Sequence, residues 1–130
     1  MKVKEAMKHA KTIGWDSSVR DAAKIMARDR IGSLVVVDER KIAGIVTERD
    51  ILSKVTAANK LPSKIQVNEI MSPDLVTISP ESHIDDAVYL MLKHKIKKLP
   101  VIDEGELVGV ITSTDIVTHS DEIGQFYFFG

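Results

Sequence analysis

Residues 44–52 read Gly-Ile-Val-Thr-Glu-Arg-Asp-Ile-Leu, and residues 109–117 read Gly-Val-Ile-Thr-Ser-Thr-Asp-Ile-Val. The two phrases stand 65 residues apart and keep Gly, Thr and Asp in register, while Glu48 and Arg49 give way to Ser113 and Thr114. Worked outward, the same shift aligns Thr12 to Met26 with Thr77 to Met91, and Leu34 to Ile51 with Leu99 to Ile116. About 15 of 41 aligned positions are identical, and many others trade one aliphatic residue for another. Upstream, at a shift of 64, Val3-Lys4-Glu5-Ala6-Met7 meets Val67-Asn68-Glu69-Ile70-Met71. The chain therefore reads as two homologous units, 1–57 and 66–120, with a linker at 58–65 and a tail at 121–130.

Each unit spells the same elements. Short strands are expected at Thr12-Ile13 and at Val76-Thr77-Ile78. Val19, Ala22, Ala23 and Met26, and likewise Ile84, Ala87, Val88 and Met91, recur at i, i+3, i+4, i+7, the spacing of one apolar helix face. Ser17 or Ser18 and Ser82 are the expected N-caps, with Asp85 three residues beyond Ser82. Leu34 to Val37 and Leu99 to Ile102 are apolar runs too short for helices and read as buried strands. Polar turns at 38–41 and 103–106 lead into third strands at Ile42 to Val46 and Leu107 to Ile111, giving hairpins. The repeated phrase then opens a last helix from Asp50 or Asp115. A β-α-β-β-α unit this small exposes an apolar sheet face, and two copies packed sheet to sheet can cover each other. The expected fold class is α/β, of the α+β kind, with two pseudo-twofold-related units.

Composition narrows the function. With 130 residues, 44% apolar and 28% charged, the chain is long enough for a real core. No run approaches the roughly 18 apolar residues needed to cross a bilayer, and the first residues lack the apolar segment of a secretory signal, so a cytoplasmic location is expected. The chain has no cysteine, which excludes thiol chemistry and thiolate-held metals. His9, His83, His94 and His119 form no close pair at ligand spacing, so no metal is expected. A net charge of −1 argues against broad nucleic-acid binding, which draws on a surplus of Lys and Arg. There is no nucleophile–base pair and no phosphate-loop glycine pattern, so no enzyme is expected.

The turn of the repeated phrase supports two readings. Thr47 and Thr112 stand at N-cap positions with Asp50 and Asp115 three residues on, which suits a capping box. Capping boxes favour Glu or Gln there, however, and the shorter Asp can stay free for a ligand. A carboxylate can accept from two vicinal hydroxyls, as an acidic residue does on ribose in dinucleotide folds. Amides at that turn would suit an anionic group.

The succession V-N-E-I-M-S-P-D-L-V-T-I-S-P-E-S (67–82), then I-K-K-L-P-V-I-D-E-G-E-L-V-G-V-I-T-S-T-D-I (96–116), resembles a cystathionine-β-synthase domain, or CBS domain. The first unit is similar, so the chain resembles a stand-alone tandem pair, a Bateman module. The resemblance implies a regulatory module that senses adenosine-containing metabolites, AMP, ADP, ATP or S-adenosylmethionine, in a cleft between the units. No further cofactor is implied. Asp50 and Asp115 become ribose candidates, with Thr47 and Thr112 near ribose and phosphate. Ile31, Ile96, Ala10 and Leu75 become adenine walls, with Asp50 working with Leu75 and Ile96, and Asp115 with Ala10 and Ile31. Lys97 and Lys98 match positions where the family places phosphate-binding cations. Arg49 adds charge to the Asp50 side where the second unit has Thr114, which favours that side for a phosphorylated ligand. The family also implies a homodimer. The aromatic tail, Gln125-Phe126-Tyr127-Phe128-Phe129-Gly130, is expected to pack on the chain itself or to clasp a second copy. The alternative is a scaffold or interaction protein with vestigial sites, touching RNA through Lys93 to Lys98.

Overall fold

Ser18 begins the first long helix by accepting the Asp21 N–H at 3.0 Å, which satisfies one of the donors a helix start leaves open. In the computed structural model, which describes residues 1–119, that helix, α2, runs Val19–Asp29 and buries Val19, Ala22 and Met26. A one-turn helix, α1 (Val3–Ala6), and a short strand, β1 (Thr12–Gly14), precede it. β2 (Ser33–Asp38) and β3 (Lys41–Thr47) follow as a hairpin, and α3 (Glu48–Ile51) continues into a π turn at Leu52–Thr56. The second repeat supplies α4 (Ile84–His94), the hairpin β4 (Lys98–Asp103) and β5 (Glu106–Thr112), and α5 (Ser113–His119). The aromatic tail lies outside the described residues.

Two expectations are corrected. His83, not Ser82, caps α4, its Nδ1 accepting the Asp85 N–H at 3.0 Å. The strand expected at 76–78 is reduced to one bridge, Ile78 to Val101, while β1 pairs with β2 in parallel over three residues. Proline accounts for the difference, because it has no N–H to give to a ladder. In the first repeat Val35 N–H donates to the Lys11 carbonyl at 3.1 Å and Trp15 N–H to the Val37 carbonyl at 2.8 Å. Their counterparts are Pro100 and Pro80, and only the two bonds of Ile78 itself survive, with the Pro100 carbonyl and the Ile102 N–H.

The compact units do not coincide with the sequence repeats. One comprises Lys11–Leu75; the other comprises Met1–Ala10 together with the chain from Val76 onward. The opening segment thus folds with the second repeat. Val3 N–H donates to the Ser82 carbonyl at 2.8 Å, Lys8 and Val110 exchange two backbone bonds at 2.9 Å, and Val3 and Ala6 are fully buried. The corresponding segment, 66–72, folds with the first repeat through Val67 N–H to Ser17 carbonyl and a paired bridge between Ser72 and Ile45. Each unit has its own core. One gathers Val19, Leu34, Val36, Val46, Val55 and Val67; the other gathers Val3, Ile84, Leu99, Val101, Ile111 and Ile116. Full burial of such a side chain contributes about 1.5–3 kcal/mol, so Val3 alone gives its segment a firm anchor.

Candidate functional site: the two Thr–Asp turns

The glycine of the repeated phrase is fixed by this segment packing. A Cβ on Gly44 would lie 2.8 Å from the Ser72 carbonyl oxygen, and one on Gly109 would lie 2.8 Å from that of Lys8. Backbone crosses over both glycines, and no larger residue leaves room for it. Both also face the irregularity in the hairpin register, opposite Val36 and Val101.

Three residues further, the threonines open α3 and α5, and both carboxylates close a capping box. Asp50 Oδ2 accepts the Thr47 N–H and the Thr47 hydroxyl, each at 2.9 Å, and Thr47 Oγ1 accepts the Asp50 N–H at 3.1 Å. Thr112 and Asp115 repeat the same three bonds at the same lengths. The shorter acid therefore reaches the cap after all, with one oxygen, Oδ2; the Oδ1 of Asp115 is buried and accepts no hydrogen bond. Each Oδ1 meets a lysine: Lys54 lies 3.1 Å from Asp50, and Lys8 lies 2.9 Å from Asp115. The Lys8 ammonium sits where charge acts, off the direction of a hydrogen bond. The two carboxylates differ in access. Asp50 keeps 14% of its side chain exposed, and Asp115 keeps 1%.

The remaining expected residues divide between the two units. Ile31, Arg49 and Leu75 share the 11–75 unit with Thr47 and Asp50. Ile31 lines a cavity of about 290 Å³ with Ala23, Ala27, Glu48 and Leu52, Arg49 is exposed, and Leu75 is half-buried. Ala10, Ile96, Lys97, Lys98 and Thr114 share the other unit with Thr112 and Asp115. Ile96 and Lys97 line a cavity of about 410 Å³ with Val88, Leu92 and Ser113, and Thr114 is exposed. Lys98 pairs with Thr112 across the hairpin. Burial pushes its ammonium below the ordinary lysine range, opposed by the charge of Asp115. Lys8 was not among the expected residues. Its signal was its alignment with Ser72, a cation in one segment where the matching segment has a hydroxyl. Among the described residues, no group of three or more His, Asp or Glu could hold a metal, and no helix is long and apolar enough to cross a membrane.

Two repeats, each closing on a Gly-x-x-Thr-x-x-Asp turn, define a tandem module. The chain belongs to the CBS domain family, which it matches twice, over residues 3–57 and 67–122. CBS pairs of this kind are regulatory ligand-binding modules. A protein of Methanocaldococcus jannaschii is 38% identical over 120 residues, 90% of this chain, and the chain spans only 64% of that relative. The solved structure of a Vibrio cholerae protein ascribed to acetoin utilization, AcuB, superposes with a TM-score of 0.85 at 30% identity, covering 100% of this chain and 97% of that one. The CBS domain pair of protein MJ0100, solved with 5′-methylthioadenosine and S-adenosyl-L-methionine, gives 0.78 at 31% identity over 92% and 98%. A hexameric CBS-CP12 protein from bloom-forming cyanobacteria gives 0.80 at 32% identity over 96% and 71%.

Proposed function

We propose that this chain is a cytoplasmic, homodimeric sensor of adenosine-containing metabolites, AMP, ADP, ATP or S-adenosylmethionine, which binds and reports rather than catalyses. The observation that carries the reading is the duplication of one Thr–Asp geometry in two turns whose neighbouring side chains differ. In each, Oδ2 is fixed by the cap and Oδ1 faces a lysine, 65% exposed beside Asp115 and 48% exposed beside Asp50, which a ribose diol can displace. Thr47 and Thr112 orient the carboxylates, Ile31, Ile96, Ala10 and Leu75 give apolar surface for adenine, and Lys97, Lys98, Arg49 and Thr114 meet phosphate or its surroundings. The more open Asp50 takes ligand first. Signalling follows from unequal affinity for two arrangements of the module, the only way a ligand shifts an equilibrium. The ligand-bound relative of known structure supports the class.

One observation favours a second reading, an interaction protein whose turns are purely structural: both carboxylates already have cap and lysine partners. A thermal-shift panel of AMP, ADP, ATP, NADH and S-adenosylmethionine separates the two. At about 100 times Kd a ligand adds roughly 2.7 kcal/mol. A shift of several degrees with one adenosine compound, lost in Asp50→Ala, supports the sensor; no shift with any compound supports the interaction protein.

A further inference from the structure

The second oxygens of the two turn carboxylates have different surroundings. Asp115 Oδ1 is buried and accepts no hydrogen bond; Lys8, from the opening segment, stands 2.9 Å away, off the direction of such a bond. A buried carboxylate oxygen ordinarily has a donor, so this one retains capacity for a hydroxyl. Asp50 Oδ1 meets Lys54, which lies in the π turn at Leu52–Thr56 and has a second tie, its ammonium donating to the Ile70 carbonyl at 2.9 Å. Lys8 has Asp115 as its one ionic partner among the described residues. The repeats have traded these cations: the residue aligned with Lys8 is Ser72, and the one aligned with Lys54 is His119.

A ligand hydroxyl reaches Asp115 Oδ1 only if the ammonium shifts, because that oxygen has almost no surface of its own. Lys8 can shift: 65% of its side chain is exposed, and a lysine ammonium rides on a flexible four-carbon stem. Where it goes decides the ligand. If it swings into water it deserts a carboxylate 1% exposed, and a buried charge stripped of its counter-ion is costly. A ligand that sets an anion beside its diol keeps the ammonium in place, shared between anion and carboxylate, and needs it there to separate two negative charges. A 5′-phosphate is such an anion, because the ribose itself holds it a few ångströms from the diol. Two more lysines flank the same turn, Ser113 N–H donating to the Lys97 carbonyl at 3.0 Å and Lys98 pairing with Thr112. Their counterparts at the other turn are Gly32 and Ser33. Asp50 has no such need: 14% of its side chain is exposed, and the Ile70 carbonyl keeps Lys54 nearby when a hydroxyl takes Oδ1.

We propose that Lys8 determines the specificity of the Asp115 turn, making it select an adenosine ligand with a 5′-phosphate over one without, while the Asp50 turn accepts either. This deepens the sensor reading above and rests on it, and it assigns the phosphorylated ligand to the side opposite the one that Arg49 alone favours. Selection is a difference between two affinities, and Lys8 acts on both in opposite senses: it holds the phosphorylated ligand and competes with the bare diol.

AMP and adenosine differ by the phosphate alone, and calorimetric titration of both reads the selection. Asp50→Ala leaves the Asp115 turn to be measured by itself; Asp50→Asn, which keeps an oxygen for the cap, serves if the alanine variant does not fold. In that background AMP is expected to bind about 30-fold tighter than adenosine. Adding Lys8→Met weakens AMP about tenfold and strengthens adenosine, leaving less than about threefold between them, and Lys8→Arg retains the preference. A merely structural Lys8 would move both compounds the same way. With Asp115 replaced instead, AMP and adenosine bind within about fivefold of each other, and Lys54→Met leaves that ratio alone. A ratio unchanged by Lys8→Met, a parallel loss of both compounds, or a stronger AMP preference at the Asp50 turn overturns the proposal alone. So does an Asp50-substituted protein that binds neither compound while the wild type binds any of AMP, ADP, ATP, adenosine or S-adenosylmethionine. A wild type that binds none of them overturns the sensor reading with it.

Discussion

Replacing Asp115 by alanine should lower the stability of the ligand-free protein more than replacing Asp50, although the two turns have the same hydrogen bonds. Asp115→Ala removes a carboxylate 1% exposed that accepts from the Thr112 N–H and hydroxyl at 2.9 Å and faces Lys8 at 2.9 Å. Loss of a cap costs about 1 kcal/mol, and a hydrogen bond to a charged group is worth about 1.5–3 kcal/mol. Relief of the buried charge's desolvation offsets part of this. Lys8, 65% exposed, loses little because water replaces its partner. The net is about 2–3 kcal/mol for Asp115→Ala, and about 1–2 kcal/mol for Asp50→Ala, whose carboxylate is wetter. For a chain of this size each kcal/mol moves Tm by about 4 °C, giving drops of about 8–12 °C and about 4–8 °C. Circular-dichroism melts without ligand, at neutral pH, measure both. An Asp115→Ala protein that melts within about 2 °C of wild type, or above Asp50→Ala, would refute the reasoning, because the carboxylate would then be contributing no more buried bonding than its twin.

Two further outcomes follow from the packing. Gly44→Ala and Gly109→Ala each drive a Cβ to 2.8 Å from a crossing carbonyl oxygen and should cost about 1–3 kcal/mol in urea melts; Gly105→Ala, with nothing within 4 Å but φ at +81°, should cost only its backbone strain. Glu81 is held below the ordinary carboxylate range, first by its hydrogen bond to Lys2 and then by that to Lys4. Its folded value is depressed, so its contribution is present above the unfolded carboxylate pKa and is lost as pH falls through the folded value. Melts of wild type and Glu81→Gln should therefore differ near neutrality and converge in acid, and a gap that persists or widens in acid would contradict the tie between Glu81 and the opening segment.

Much of this was legible in the residues because repetition is a strong signal. The shift of 65 located the hairpins, and the i, i+3, i+4, i+7 spacing located α2 and α4 close to their observed ends. Physical reasons explain the misses. The strand at Val76 to Ile78 looked equivalent to β1, and only its proline neighbours, one of them distant in sequence, remove the ladder bonds. His83 displaced Ser82 as cap because a ring nitrogen can accept an amide as a hydroxyl does. At the turns, the capping reading is the one the hydrogen bonds show: Asp50 and Asp115 both cap, each through one oxygen. Lys8 stayed hidden because its importance depends on which repeat its segment joins, and alignment alone does not record that exchange.

The exchange also sets a timetable. Residues 11–75 are one continuous stretch, and everything their core needs has been synthesised once that stretch leaves the ribosome. The other unit contains the first residues of the chain and some of the last, so Val3 and Ala6 must wait, apolar and unpartnered, until Leu99, Ile111 and Ile116 arrive. Domains that complete early during translation fold as units, so the second unit is the one exposed to mistakes, and a chain stopped short of α5 would leave a finished half carrying a loose apolar end. Splitting a gene of this design at the boundary between its repeats would yield no self-sufficient piece, whereas removing ten residues from the front would leave the early half whole.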